Sequence, residues 1–203
     1  MSIGYLQGNV YECLAFTCIM NYRPRFGRVY PELEIHGKPA PYPVLNERDA
    51  RASAGIMLLI GSVAFVQAFL LKEYWLIDLV VLVFVLEFAL RLIDPHIAPL
   101  YALGRLFVSR MRPEYVGAAQ KRFAWALGLL MALTVSVLIH VFAIRGLPNM
   151  IFCSVCLFLM WLEASFGYCL GCKIYYRLMH HGLVKKPEHA PACPGGACPL
   201  PKR

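Results

Sequence analysis

Residues 54–71 read AGIMLLIGSVAFVQAFLL, an apolar run long enough to cross the hydrocarbon core of a membrane as a helix. Three similar runs follow it, so we expect membrane spans at approximately 54–71, 75–93, 123–144 and 147–168. A chain inside lipid must satisfy its own backbone hydrogen bonds, and each span is therefore predicted to be an α-helix. The predicted fold class is all-α, a bundle of four transmembrane helices in which short loops pair the first helix with the second and the third with the fourth.

The composition also indicates a membrane protein. The chain has 203 residues, of which 59% are hydrophobic and only 16% are charged, whereas a soluble domain carries about 25% charged residues. Its net charge of +8 lies mainly in loops beside apolar runs, which favours membrane topology over binding to nucleic acid. Because the start of the chain lacks a basic region, we expect no cleaved signal peptide.

Arginine and lysine predict the orientation. They precede the first span, fill the loop between the second and third spans, and follow the fourth, whereas each of the other two loops holds one. The positive-inside bias therefore places both termini in the cytoplasm. Residues 95–113 (PHIAPLYALGRLFVSRMRP) have apolar residues at helical spacing and three arginines, which predicts an interfacial amphipathic helix on the inner leaflet.

The chain is divided into three predicted regions. Residues 1–43 form a cytoplasmic N-terminal segment, residues 44–182 form the four-helix transmembrane domain, and residues 183–203 form a disordered, cysteine-containing cytoplasmic tail.

All eight cysteines occur in close pairs, and the pair at the end of the fourth span is the most informative. In the predicted orientation this pair faces a reducing compartment, where two thiols either cycle catalytically, bind a soft ligand or simply close the helix against its neighbours. The pairs are Cys13/Cys18, Cys153/Cys156, Cys169/Cys172 and Cys193/Cys198.

Two geometries are open for the stretch FGYCLGCKIYYRLMHH, residues 166–181. If Gly171 breaks the helix, Cys172 begins a new helix beside Lys173, and both the helix N-terminus and the cation favour a thiolate. If the fourth helix continues, Cys169 faces the negative end of the helix dipole.

Charged residues within the spans converge on the same depth as this dithiol. Glu87 and Arg91 are four residues apart in the second span, and Glu163 lies near the end of the fourth. Charges in hydrocarbon are costly and often functional, so Glu163 or Glu87 is a candidate to hold a thiol proton. The alternative is a structural network of ions that holds the helices together.

The other pairs support weaker hypotheses. Cys193, Cys198 and His189 could bind a soft metal, although one histidine and two cysteines make an incomplete zinc set. Cys153 and Cys156 lie near the outer end of the fourth span. Their pairing is explained by packing in the core at least as well as by a function of their thiols.

Four motifs resemble one family of bacterial integral membrane proteins, catalogued as domain of unknown function 4395. They are LNERDARASAG (45–55), LEFALRL (86–92), AAQKRFAWALGL (118–129) and EASFGYCLGCKIY (163–175), and the resemblance covers residues 44–176. It implies a four-helix inner-membrane protein associated with thioredoxin-like and sulfurtransferase proteins, without an established activity. By motif, it implies importance for Asn46, Glu47, Arg51, Glu87, Arg91, Lys121, Arg122, Phe123, Glu163, Gly167, Cys169, Gly171, Cys172 and Lys173.

Three functions remain open. The first is a membrane thiol-redox or sulfur relay, an oxidoreductase in which Cys172 beside Lys173 attacks a soluble thioredoxin-like or sulfurtransferase partner, with quinone as a candidate cofactor. The second is a carrier of a soft metal or sulfur anion through successive cysteine pairs. The third is a non-catalytic subunit of a membrane complex. The sequence leaves homo-oligomerisation open.

Overall fold

The structure, a computed structural model, describes residues 26–29, 34–35, 38–39 and 42–183. It is mostly helical, with two short antiparallel strand pairs that the predicted all-α fold did not include. The strands are β1 (Glu34–Ile35), β2 (Lys38–Pro39), β3 (Val44–Asn46) and β4 (Tyr115–Gly117), with β1 paired to β2 and β3 to β4. The helices are α1 (Glu47–Phe69), α2 (Trp75–Ile93), α3 (Pro99–Val108), α4 (Ala118–His140), α5 (Leu147–Phe166) and α6 (Leu170–His180), with a 3₁₀ turn at Pro95–Ile97.

Within the described residues, three helices are long and apolar enough to cross a membrane by length and composition, namely α1, α4 and α5. They indicate a membrane protein. The second predicted span coincides with α2, but this helix carries Asp78, Glu87 and Arg91 and does not belong to that set.

The helices α1 and α4 begin earlier than the predicted spans, which started at residues 54 and 123. The reason is the β3–β4 pair, because each strand runs directly into a helix and fixes where that helix starts. Asn46 caps α1, since its side-chain oxygen accepts the N–H of Arg48 at 3.2 Å and that of Glu114 at 3.1 Å. Apolar periodicity cannot detect these polar first turns.

The helix α1 is the centre of the bundle and packs against α2, α3 and α5, whereas α4 packs mainly against α2 and α6. A Cβ on Gly104 of α3 would lie 2.6 Å from the backbone nitrogen of Ser53, so this glycine permits close contact with α1. The contact between α4 and α5 is slight, although a short loop joins them. The predicted pairing of these two helices is therefore only weakly present.

One end of the bundle, called the polar end here, collects the starts of α1, α4 and α6 and the ends of α2 and α5. The β3–β4 pair places the starts of α1 and α4 side by side. Arg51, in the first turns of α1, donates to the carbonyls of Ala164 and Ser165 at 3.3 and 3.2 Å and so caps α5. Away from this end, Arg145 pairs with Asp78 at 2.7 Å.

Candidate functional site

A buried lysine joins three helices at the polar end. The Nζ atom of Lys121 donates to Glu47 Oε1 at 2.9 Å and to Glu163 Oε1 at 2.7 Å. The Lys121 and Glu47 side chains are 0% and 1% exposed, and that of Glu163 is 20% exposed. These three residues, called the Lys121 cluster, hold together the starts of α4 and α1 and the end of α5.

The two cysteines of the Cys-Leu-Gly-Cys motif follow directly after α5. This helix ends at Gly167, whose φ of +64° is in the left-handed region and whose N–H donates to the Glu163 carbonyl at 3.0 Å. Cys169 is the N-cap of α6, and its Sγ accepts the N–H of Cys172 at 3.4 Å. A sulfur therefore occupies the position in which a serine or aspartate oxygen usually caps a helix.

This geometry corrects the predicted position of the helix break. The break occurs at Gly167, and Gly171 lies inside α6, so neither of the two geometries left open by the sequence is observed: the helix does break, but before Cys169 and not at Gly171. A Cβ on Gly171 would lie 2.7 Å from the Cβ of Ala124. Gly171 is therefore needed where α6 touches α4, and Cys169 is the thiol at the helix N-terminus.

We expect Gly171→Val to destabilise the packing of α6 on α4. Overpacking a close contact costs about 1–3 kcal/mol, and the melting temperature of the protein in detergent micelles should fall accordingly. Leu170 precedes this glycine and is 40% exposed, so Leu170→Val is the matched control and should change the melting temperature little. Equal melting temperatures for the two variants would contradict the observed contact.

The ammonium group of Lys173 packs against an aromatic ring. Its Nζ lies 4.0 Å from the centre of the Tyr168 ring. The ammonium group that interacts electrostatically with both Cys169 and Cys172 is that of Lys121. Lys121 is therefore a cation beside both thiols, a role for which the sequence analysis named only Lys173.

The Cys172 thiol is held in its protonated form. A hydrogen bond with Cys169, together with burial, raises the pKa of Cys172 far above its usual range, although Lys121 opposes the shift. The side chain is 1% exposed. Because Cys169 is the acceptor at the N-terminus of α6, where negative charge is stabilised, it is the sulfur better placed to attack.

Alkylation of Cys172 should therefore have an unusual pH dependence. A free thiol ionises near pH 8.5, but folded Cys172 keeps its proton above that pH, so its alkylation should remain slow there. The same proton is released by the unfolded chain, so this group's contribution to stability is present below about pH 8.5 and is lost as the pH rises. Mass mapping after timed alkylation measures the rate at each pH.

The control for this prediction is Cys169→Ala, which removes the hydrogen-bond partner and should move Cys172 alkylation to lower pH. A wild-type profile like that of a free thiol would contradict the geometry.

Glu87 and Arg91 form a separate buried pair. The Arg91 Nε and Nη2 atoms donate to Glu87 Oε1 at 2.9 and 2.8 Å. The Glu87 carboxylate also accepts the N–H groups of Leu100 and Tyr101 at 2.9 and 2.8 Å, which caps the start of α3. The guanidinium of Arg91 lies 5.6 Å from the centre of the Trp125 ring. The structure therefore uses both residues to attach α3 to α2 and does not bring them to the dithiol.

A cavity of about 320 Å³ lies between α1, α2, α4, α5 and α6. Most of its wall is apolar. Glu163 and Cys169 line it, and so do Cys153 and Cys156 from α5. The cavity therefore connects the cysteine pair of α5 with the first cysteine of the motif, and all four described cysteines are free thiols.

In the described part of the chain, no three His, Cys, Asp or Glu side chains are grouped closely enough to hold a metal ion. The predicted weak metal site of Cys193, Cys198 and His189 lies outside the described residues, as do Cys13 and Cys18.

The sequence-based list of candidate catalytic residues omitted two members of the site. Glu47 and Lys121 stand just outside the predicted spans, where charged residues are ordinarily read as topological signals. The motifs LNERDARASAG and AAQKRFAWALGL contain both residues, and these motifs were the signal that could have identified them.

Comparison with protein-family models matches residues 45–180 to the model described as domain of unknown function (DUF4395). This confirms the resemblance predicted from the four motifs. No curated protein and no solved structure matches the chain. The matched range contains the whole Lys121 cluster and both cysteines of the motif.

Proposed function

Since the chain belongs to the DUF4395 family, whose description assigns no activity, we propose from the chain's own geometry that it is a membrane thiol-redox protein. Its working pair is Cys169 and Cys172. The observation that carries this proposal is the Cys169 sulfur at the N-terminus of α6, which accepts a hydrogen bond from the Cys172 backbone N–H and interacts electrostatically with Lys121. Helix N-termini and nearby cations activate thiols for disulfide exchange.

Each residue has a defined role in the exchange. The Cys169 sulfur attacks a disulfide of the partner, so that one S–S bond breaks, a mixed disulfide forms and one partner thiolate leaves. Cys172 then loses its proton and attacks the Cys169 sulfur, which forms the Cys169–Cys172 disulfide and releases the partner as a dithiol. Two electrons pass to the partner. Lys121 stabilises the negative charge on sulfur, and Glu163 accepts the proton.

The partner is a soluble thioredoxin-like protein, or a sulfurtransferase persulfide whose S–S bond would break as its outer sulfur passes to the Cys169 sulfur, leaving the donor cysteine as a thiolate. Both thiols are buried, with Cys169 5% and Cys172 1% exposed. Exchange with a protein therefore requires α6 to move away from α4. This helix is short and terminal in the bundle, and its contact includes the Phe123 and Tyr175 rings, whose centres are 5.5 Å apart.

The proposed topology has four spans, with α2 as the additional one, in a bacterial inner membrane with both termini in the cytoplasm. The charges of α2 are paired, since Asp78 forms an ion pair with Arg145 and Glu87 forms one with Arg91. Pairing lowers the free-energy cost of placing these charges in lipid. Residues 44–182 form this membrane domain, between the segments 1–43 and 183–203.

The helix α3 is proposed to lie on the inner leaflet. Leu106 and Phe107 are 70% and 75% exposed, which leaves an apolar face for the lipid. Arg105, also exposed, lies on the same helix and can reach headgroup phosphates.

The experiment is a redox titration of the full chain in detergent micelles. The protein is equilibrated in glutathione buffers of stepped reduced-to-oxidised ratio, and the remaining thiols are alkylated and mapped by mass. We expect one two-electron transition that joins Cys169 to Cys172, unchanged in a Cys153→Ser/Cys156→Ser variant. Thiols at 169 and 172 that stay reduced through the whole series would falsify the proposal.

A second candidate function is a structural subunit of a membrane complex. The buried ion cluster that joins α1, α4 and α5 favours it. It predicts that Cys169→Ser and Cys172→Ser leave the biological activity intact, whereas the thiol-redox proposal predicts that either change abolishes it.

A further inference from the structure

The wall of the cavity is mostly apolar but includes a carboxylate and several thiols. Aromatic and aliphatic side chains from five helices form most of it, including Phe84 and Phe88 of α2 and Trp125 of α4. Glu163 and Cys169 also line it, and both lie at the polar end of the bundle. A volume of about 320 Å³ is within the range of small-molecule sites.

We infer that this cavity binds a membrane quinone, which accepts electrons from the Cys169–Cys172 dithiol. The inference rests on the proposed thiol-redox function, with the exchange run in the reverse direction: two thiols of the partner reduce the Cys169–Cys172 disulfide through the same mixed disulfide, the partner becomes a disulfide, and the quinone is the final electron acceptor.

The lining of the cavity selects this class of ligand. An apolar wall excludes ions and water-soluble disulfides, because transfer of a charged or polar group into it is costly. A quinone is uncharged and soluble in lipid, and its flat ring can pack against the aromatic side chains. An acyl chain would fit the apolar wall equally well, but it has no group that could accept the electrons of a thiol at the wall.

The reaction balances without another reactant. The S–H bonds of Cys169 and Cys172 break and one S–S bond forms between the sulfurs, which oxidises the pair by two electrons. Both electrons and both protons pass to the quinone, whose two carbonyl oxygens become the hydroxyl groups of a quinol. Glu163, which lines the cavity and is hydrogen-bonded to Lys121, is the carboxylate placed to transfer protons between sulfur and oxygen.

The position of Cys169 makes the order of events specific. It lines the cavity, whereas Cys172 does not. The Cys169 sulfur therefore contacts the quinone, and the Cys172 sulfur, which lies within α6, then forms the disulfide with it. This geometry also permits oxidation while α6 remains in place, so the quinone step needs no docking of a soluble protein.

The test uses the full chain in detergent micelles with its thiols reduced and the reductant removed. Decylubiquinone is the probe, because its ring has no unsubstituted carbon to which a thiol could add. Quinol is followed by ultraviolet absorbance, and disulfides are mapped by mass. We expect one quinol for each protein and a Cys169–Cys172 disulfide.

A cavity-filling variant tests the location. Ala132→Leu adds bulk to a buried position of the wall and should slow quinol formation about tenfold, the effect of overpacking a binding site by about 1.4 kcal/mol. Ala126→Leu is the matched control, because Ala126 is exposed on the same helix and does not line the cavity, and it should leave the rate unchanged.

A second readout does not depend on that variant folding. Decylubiquinone should protect Cys153, which lines the cavity, from N-ethylmaleimide, whereas a saturated hydrocarbon of the same length should protect it less.

The outcomes separate this inference from the proposed function. If glutathione disulfide oxidises the pair but decylubiquinone yields no quinol and no protection, the quinone site is wrong and the dithiol stands. If neither oxidant forms the disulfide, both proposals fail. Quinol formation that is equal in the Ala132→Leu and wild-type proteins would place the reaction outside the cavity and overturn the inference.

Discussion

Lys121→Met is expected to lower the free energy of unfolding by about 3–5 kcal/mol, the cost of leaving buried charges without their partner. In the wild-type protein the ammonium group neutralises Glu47 and Glu163 at 2.8 and 2.7 Å. Without it, two carboxylates face each other in a site from which water is largely excluded. The effect should be visible as loss of folded protein during thermal unfolding in detergent micelles.

Two controls identify charge as the cause. Arg122→Met changes the next residue, whose side chain is exposed, and should cost far less. Adding Glu47→Gln and Glu163→Gln to Lys121→Met neutralises the orphaned carboxylates and should restore part of the lost stability. If the triple variant is less stable than Lys121→Met alone, the cluster is not held by this charge balance.

Glu87→Leu should have an effect of similar size, about 3–5 kcal/mol. The change leaves the Arg91 guanidinium buried without a carboxylate and removes the acceptor for two backbone N–H groups at the start of α3. We expect α3 to detach, which should increase hydrogen exchange at the backbone amides of Leu100 and Tyr101 in addition to lowering the melting temperature.

The matched control is Glu73→Leu, at an exposed position whose carboxylate accepts from Gln67 at 2.9 Å and which should change stability little. The double variant Glu87→Leu/Arg91→Leu should lose less than the sum of the two single changes, since neither charge then remains alone. Strict additivity would show that the two side chains do not stabilise each other.

Much of the helical fold could be predicted because its signal is local. Apolar runs of membrane length predicted four of the six helices in the described part of the chain, and α2 has the predicted bounds 75–93. The starts of α1 and α4 were missed because the β3–β4 pair sets them, and such pairing joins residues distant in sequence. A window of hydropathy contains no information about that contact.

The location of the site could be predicted from the sequence, but the roles of its individual residues could not. Charge within the spans pointed to Glu163 beside the Cys169/Cys172 pair, and the structure places all three residues at the polar end. The choice of Cys169 or Cys172 as the nucleophile depended on where α5 ends. Gly167 and Gly171 are equivalent signals of a helix end in the sequence. Their difference is tertiary, because Arg51 lies against the first and Ala124 against the second.

The same limit applies to the choice of cation. Lys173 is adjacent to Cys172 in sequence, but its ammonium group lies over the Tyr168 ring. Lys121 is distant in sequence and becomes the partner of the site only when α4, α5 and α6 pack together.

The most direct measurement compares the two sulfurs one at a time. Full-length Cys172→Ser and Cys169→Ser proteins are treated with methyl methanethiosulfonate at neutral pH, and mixed disulfides are mapped by mass against time. We expect the thiol that caps α6 to be modified quickly in the first variant, and residue 172 to remain largely unmodified in the second. Faster modification of Cys172 than of Cys169 would contradict the assignment of the nucleophile, and the thiol chemistry built on it would have to be abandoned.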